Sequence, residues 1–538
     1  MIRVKWISCP AGAFSRITIK FMEIAMNTLL KTSYLACSIA VALGTNAAHA
    51  VVPTTPPGLV VYSGGGSAEP QPIEAAFCRL FNNVDYYTDA TTKGAASSDY
   101  LVLYGTAINA IGSIPAGTNV LYFYKFNGGS YPNGGIPQAG SQSAAGTAQK
   151  LSYPTTASVL SGTLITAGTQ GTVCTAAQKG LPTFGYTPNL VGNSQLPDFG
   201  ITDVEVSLFS GVNNPTTLPL VSVGSPSVAY DLVEGVAVTN SLFTGTGPSG
   251  ALPGVNKKTN FTRAEVAGIL AGTITDWHDI YADNGSPVAP AGSGIILIDR
   301  NVGSGTKAGG NSYFLGFPGL GSNALQPNSV TNAAQTGNGA GGVNGAGYGP
   351  SLVSSQTSQD VMASSSAVVV QDLATANSTG LLAIAILSVD NPPALNQVSG
   401  VNQYDFVSIN GVAMDGNSST DNINGTKGSS YINVINGSYD FFYQVNFNQR
   451  SGFSTGAPAN NVAFANGLKA VLQSPSLAGV NSGTQFPLAT NGIVIDGDTA
   501  SSLATGVTVT SRSGVSPSTP KVVLKLAGGA ITPGNDPL

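Results

Sequence analysis

The sequence predicts an α/β protein of two or three domains, and three observations carry that reading. Largely apolar runs, Leu59-Val60-Val61-Tyr62, Val120 to Phe126 and Ile295 to Ile298, suit short strands buried on both faces. Each runs on into a Gly- and Ser-rich turn. Helical spacing follows elsewhere: Ile73, Ala76, Phe77 and Leu80 stand at i, i+3, i+4 and i+7, and Val266, Ile269, Leu270 and Ile274 share one face.

In chain order, Val51 to Pro57 is a Pro-Thr linker before the first strand, Leu59 to Tyr62. The Gly64 to Pro72 turn then leads to a helix over Ile73 to Phe81, whose unpaired N–H groups favour an anion. Tyr100 to Tyr104 and Val120 to Phe126 are the next strands, the second entering Asn127-Gly128-Gly129-Ser130. Residues 137–195 are rich in Gly, Ser, Thr, Ala and Gln and form an elaborated insertion with short strands. Asp198 to Val204 places a lone carboxylate, Asp203, after a short apolar piece, and Gly235 to Val238 is a buried strand.

Thr262-Arg263-Ala264-Glu265 is a capping box: the Thr hydroxyl and the Glu carboxylate each take one orphan N–H. Gly272 ends that helix and Trp277 belongs to the core. Gly319 to Gly349 is a long Gly/Asn/Ala loop or insertion. A helix is predicted from about Ser358 to Thr375, strands at Leu381 to Leu387, Asp405 to Ile409 and Tyr439 to Val445, and a helix over Asn460 to Leu472. The tail from Pro487 holds one Val-rich strand, Lys521 to Leu526.

Composition restricts the partners. Of 538 residues only 9% are charged, while 68 are glycine, a balance commoner outside the cytoplasm. Met26, Lys31, the apolar stretch Tyr34 to Leu43 and Ala48-His49-Ala50 form a complete secretory signal, so the mature chain is expected to begin near Val51 and the true start to be Met26. Residues 1–50 hold five basic residues and one acidic, which leaves 16 basic against 25 acidic beyond them, a net charge of −9. Such a chain lacks the basic face that nucleic acid requires. No later apolar segment reaches the ~20 residues of a membrane span. Cys78 and Cys174 remain after the leader and are expected to pair as one disulfide in an oxidising compartment, the alternative being two buried thiols. Beyond the leader the one histidine, His278, leaves no His-ligated metal cluster and argues against a Ser-His-Asp triad.

The stretch with the most chemistry is Gly294 to Thr306. A buried strand, Arg300, and Gly303-Ser304-Gly305-Thr306 put a cation beside a nest of N–H and hydroxyl donors, which describes an oxyanion seat. The competing reading is a plain Gly-Ser turn with Arg300 on the surface. A nucleotide P-loop is rejected, because that pattern needs Gly-Lys-Ser/Thr and the chain has Gly305-Thr306-Lys307.

Thr262 to Ile280 followed by Asp299 to Thr306 resembles the phosphate-binding proteins of bacterial importers, and Gly64 to Pro72 looks closest to their secreted DING-type branch. The resemblance implies a two-lobed α/β clamshell of the type II periplasmic-binding class with Gly/Ser/Asn-rich insertions. Its ligand would sit at strand C-terminal ends between lobes. Lobe one would be residues 51–240 plus 384–475, lobe two 241–383, with crossovers at Gly235 to Asn240 and Leu381 to Leu387 and a C-terminal extension over 476–538. By the same resemblance, Arg300 pairs with phosphate oxygens, Ser304, Gly305 and Thr306 donate through hydroxyl and N–H, and Ser130 matches a family serine. Asp203 accepts the proton that phosphate carries and sulfate lacks.

Three departures stand out. The family's threonine falls on Ala68, and losing one hydroxyl bond to a charged ligand costs ~1.5–3 kcal/mol, a tenfold to hundredfold loss of affinity; Ser67 is placed to compensate. Glu69 follows, and anion binding requires its carboxylate to point away from the seat. Val302 replaces an aspartate, and Gly309-Gly310 shorten the helix behind the turn, each at ~1 kcal/mol relative to Ala. The expectation is therefore a periplasmic or secreted binder of phosphate or a similar oxyanion, not an enzyme, without metal or cofactor, and served by an ABC permease. The alternative is a secreted scaffold or surface-assembly protein whose anion site has decayed.

Overall fold

The computed structural model describes residues 55–90, 98–141, 149–166, 181–209, 227–246, 252–318, 320, 324–327, 352, 355–389, 391, 393, 397–398, 400–414, 433, 439–473, 493–494, 525–527 and 530–532. The leader, Cys174 and most of the 319–349 stretch and of the C-terminal tail lie outside them. So do residues 521–524, the larger part of the tail strand expected over Lys521 to Leu526.

One mixed sheet organises the described chain. The strands along its main path are β1 (Leu59–Gly64), β2 (Phe81–Thr88), β3 (Tyr100–Ala107), β4 (Asn119–Lys125), β5 (Thr163–Thr166), β6 (Thr183–Gly185), β7 (Phe199–Thr202), β8 (Ser227–Thr239), β9 (Ile296–Arg300), β10 (Gln359–Ala363), β11 (Ala383–Ser388) and β12 (Phe442–Asn448), and two short strands, Tyr404–Phe406 and Ile493–Val494, pair with β8 beside that path. They lie in the order β10-β9-β11-β8-β12-β7-β1-β4-β3-β2-β6-β5. The helices that matter here are α1 (Pro70–Leu80), α2 (Arg263–Leu270), α3 (Gly305–Gly310), α4 (Ser366–Ser378) and α5 (Ala459–Leu472).

The apolar runs become strands because both their faces are covered. Val61, Leu101, Leu103, Val120 and Tyr122 join the core under α1 and α5, whereas Val60, Tyr62, Val102, Leu121 and Phe123 point to an aromatic core on the opposite face. Each large side chain so buried contributes about 1.5–3 kcal/mol, which explains why these strands carry little polar alternation. A further core gathers Trp277, fully buried, with α2, α4, β8, β9 and β11. No described helix is long and apolar enough to cross a membrane.

Strand β8 links the sheet's two parts. Residues 227–233 of it pair antiparallel with β12, and residues 234–238 pair antiparallel with β11. On one side β9 runs parallel to β10 and β11; on the other β1 runs parallel to β4 and β7. Parallel strands deliver their C-terminal ends to a common edge, and those of β1, β4, β7, β9 and β10 carry the site.

The capping box is present in full: Thr262 Oγ1 accepts the Glu265 N–H at 3.1 Å and Glu265 Oε2 accepts the Thr262 N–H at 2.7 Å. Helix α1 begins at Pro70, earlier than the periodicity indicated, because proline suits the first helical turn. The helix expected from Ser358 is a correction. Residues 359–363 form strand β10, since parallel pairing with β9 is open to them, and α4 starts only at Ser366, where Ser365 accepts the Val368 N–H. Helix α3 has six residues and passes into a wider turn over Asn311–Leu315, as Gly309-Gly310 suggest.

Candidate oxyanion site

Five turns converge at the strand ends. Gly65-Gly66-Ser67 follows β1, Ser130 caps a short wide helix, Tyr131–Gly135, beyond β4, Asp203 follows β7, Ser304 and Gly305 follow β9, and Ser364 to Ser366 follow β10. The two sides of the sheet meet through them. The Tyr131 N–H donates to the Gly303 carbonyl at 2.9 Å, and Ser67 Oγ lies 3.4 Å from Ser366 Oγ.

Arg300 is the centre, 3% exposed. Its Nη1 donates to Ser366 Oγ at 3.1 Å, while Nη2 makes long contacts with Ser67 Oγ at 3.4 Å and the Ser364 carbonyl at 3.5 Å. Nε has no partner among the described residues. Burial pulls the guanidinium below its usual pKa, and Asp203, Glu234, Asp299 and Glu69 oppose that pull, in that order. The nearby ammonium of Lys307 is committed to Asp299.

Asp203 and Glu69 face one another across Gly66. A Cβ at Gly66 would meet Asp203 Oδ1 at 2.3 Å, Ser130 Oγ at 2.5 Å and Glu69 Oε2 at 2.8 Å, so three side-chain oxygens surround that point. Ser130 Oγ also accepts the Asp203 N–H at 3.4 Å. A Cβ at Gly305 would meet Asp203 Cβ at 2.3 Å and Oδ2 at 2.4 Å, which explains the glycine there.

The expectation that Glu69 points away from the seat is not met: its side chain is fully buried. Glu69 stands at the N-cap of α1 in α-region geometry, with Tyr124 Oη 3.1 Å from Oε2. Burial, and next the charge of Asp203, push this carboxyl well above the usual carboxylate range.

The structure thus brings together Ser67, Glu69, Ser130, Asp203, Arg300, Ser304 and Gly305. Ala68 turns into the apolar core under α1 and offers no hydrogen bond. Thr306 is buried, and its carbonyl accepts the Tyr443 hydroxyl at 2.9 Å. Cys78 is disulfide-bonded, and Cys174 lies outside the described residues. Sequence reasoning missed Ser366 and Tyr124. The Ser364-Ser365-Ser366 run before an apolar segment is a helix-start signal that could have located the first; a tyrosine inside a strand gives no such signal.

Residues 238–447 match the model described as a PBP superfamily domain. Nothing among curated proteins matches the sequence significantly. Among solved structures, the chain is similar to a candidate phosphate ABC transporter substrate-binding protein from Clostridium perfringens, solved with bound phosphate, at 15% identity over 50% of this chain and 71% of that one, with a TM-score of 0.27. It is similar also to a candidate phosphate-binding protein from Planctomyces limnophilus at 12% identity, over 50% and 69%, TM-score 0.25. A phosphate-binding protein from Stenotrophomonas maltophilia matches at 13% identity, over 66% and 66%, TM-score 0.26. None of these distinguishes the DING-type branch. Residues 238–447 thus match a domain of the PBP superfamily, set within a chain built on one large mixed sheet with helices on its faces.

Proposed function

We propose that the protein is a secreted or periplasmic solute-binding protein for inorganic phosphate or a similar oxyanion, which it holds without performing chemistry. One observation carries the reading: Arg300 Nε, Ser304 Oγ, Asp203 Oδ1 and Glu69 Oε1 are all buried and all without a hydrogen-bond partner among the described residues. Buried polar atoms left unpaired cost about 1–3 kcal/mol each, more when charged. A tetrahedral anion carrying a proton offers oxygens to the guanidinium and hydroxyl and a hydrogen to a carboxylate, so it satisfies both signs at once.

Arg300 supplies charge and forked donors, Ser304, Gly305, Thr306, Ser130 and Ser67 supply neutral donors, and Asp203 accepts the ligand's proton. Ser67, already within reach of Arg300, takes the part of the hydroxyl lost at Ala68. Lobes over 51–240 plus 384–475 and over 241–383 would close on the anion, a Cys78–Cys174 disulfide would brace lobe one, and an ABC permease would receive the cargo.

Calorimetry with phosphate, arsenate and sulfate on protein stripped of bound anion tests this. Heat with the two protonated anions and little with sulfate is expected; no heat with any of them from micromolar to millimolar would leave a scaffold with a decayed site as the better account. In Asp203→Asn the preference for phosphate over sulfate should shrink by roughly tenfold or more, because the amide no longer repels a fully ionised anion and can donate to it. Unchanged selectivity would reduce Asp203 to a turn residue.

A further inference from the structure

The buried Glu69 calls for its own explanation. Counting hydrogens around it narrows the choices. The Tyr124 hydroxyl lies 2.9 Å from the Gly66 carbonyl and 3.1 Å from Glu69 Oε2, yet it owns a single hydrogen. A carbonyl can only accept. If Tyr124 donates to Gly66, the contact with Glu69 has a hydrogen only when Glu69 brings one.

The charges nearby agree. Glu69 faces Asp203 from the end of β7, Tyr124 from β4 and Arg300 from β9. Glu234 of β8 and Asp299 of β9 also draw on the guanidinium, whose attraction for Glu69 is the weakest of the four. Two ionised carboxylates around one buried point would repel strongly with too little positive charge to offset them. Burial and Asp203 together hold Glu69 in its neutral form beyond the pH where a free glutamate ionises.

We propose that Glu69 sits in the seat beside Asp203 as a neutral acid, its one hydrogen turned to the Tyr124 oxygen in the free protein and to the anion when one binds, and that this proton makes oxyanion capture pH-sensitive. The two carboxyls divide the roles: Glu69 donates where a hydroxyl at position 68 would have, and Asp203 accepts. When Glu69 loses its proton, a donor becomes a second negative charge facing the anion. The coupling rests on the oxyanion reading above; the neutral Glu69 itself does not.

Two measurements separate these parts. Infrared spectra of the wild type near neutral pH should show the carbonyl stretch of a protonated carboxylic acid, lost on raising the pH and absent in Glu69→Gln. No such band in the wild type overturns the neutral Glu69, whether or not phosphate binds. Calorimetry with inorganic phosphate, in buffers of different ionisation enthalpy, reads the coupling. Above the titration of Glu69 the wild type should take up a proton on binding and lose affinity about tenfold per pH unit more steeply than Glu69→Gln. Phosphate's own titration is common to both proteins and cancels in the comparison. Equal slopes and equal proton uptake overturn the coupling, and no heat in either protein overturns the oxyanion reading and the coupling together.

Discussion

Arg300→Gln should weaken phosphate binding by about 3–5 kcal/mol, roughly a hundredfold to several thousandfold in affinity, so that concentrations just saturating the wild type leave the variant almost empty. The size follows from how the guanidinium is held. It is almost wholly buried, and its one bond of ordinary length goes to Ser366 Oγ at 3.1 Å. The contacts to Ser67 and Ser364 are long and Nε has no described partner, so much of its donor capacity is left for a guest. Glutamine keeps an amide donor and a similar stem but no charge, and the anion would then face Asp203 with only neutral groups opposite. Arg300→Lys should fall between the two, since an ammonium restores the charge without the planar fork. The variant should also unfold at lower urea than the wild type, because Asp203 and Glu234 lose the charge that offsets them. Calorimetry and urea titration check both. Retention of wild-type affinity in Arg300→Gln would remove the anion from this part of the molecule.

What could be read beforehand depended on whether local chemistry or distant pairing decided the outcome. Strands β1, β4, β9 and β11 were legible because burial on both faces leaves a run of apolar residues. The Thr262–Glu265 box was legible because both of its bonds lie within four residues. Strand β2 was not. Its sequence is broken by Asn82, Asn83 and Asp85, and there the strand has an irregular register with Asn83 at φ 51°. Strand β10 reads equally well as the start of a helix; only its alignment beside β9 decides, and that is a contact 63 residues away at Ile296 and Gln359. The same misplacement hid Ser366 by putting it inside a helix rather than at its first turn. Within the site, residue types marked Arg300, Ser304, Ser130 and Asp203 as chemically apt. Spacing could not give the direction of Glu69, which is set by the N-cap geometry of α1 and by Tyr124 on a strand 55 residues on.

Gly200→Ala should destabilise the protein by about 3 kcal/mol or more and weaken phosphate binding as well, although residue 200 touches no proposed ligand atom. A Cβ there would lie 1.9 Å from the Gly134 carbonyl oxygen, 2.6 Å from its carbon and 2.7 Å from its Cα. A Cβ on Gly134 would in turn meet the Ile201 carbonyl oxygen at 2.3 Å. Backbone rests on backbone, and no rotamer change relieves the overlap. Strand β7 and the Tyr131–Gly135 helix must separate by about an ångström to admit a methyl group. Those two elements carry Asp203 and Ser130, whose N–H···Oγ contact is already 3.4 Å. Separating them breaks that contact and draws Ser130 away from the anion, and binding constellations tolerate displacements of only about half an ångström. Gly58→Ala is the control, because a Cβ there stands 3.4 Å from Thr118 Cγ2 at ordinary contact; it should shift stability by no more than about 0.5 kcal/mol. If Gly200→Ala matches that control in both urea midpoint and phosphate affinity, the close approach of helix to strand is not what holds Ser130 and Asp203 together.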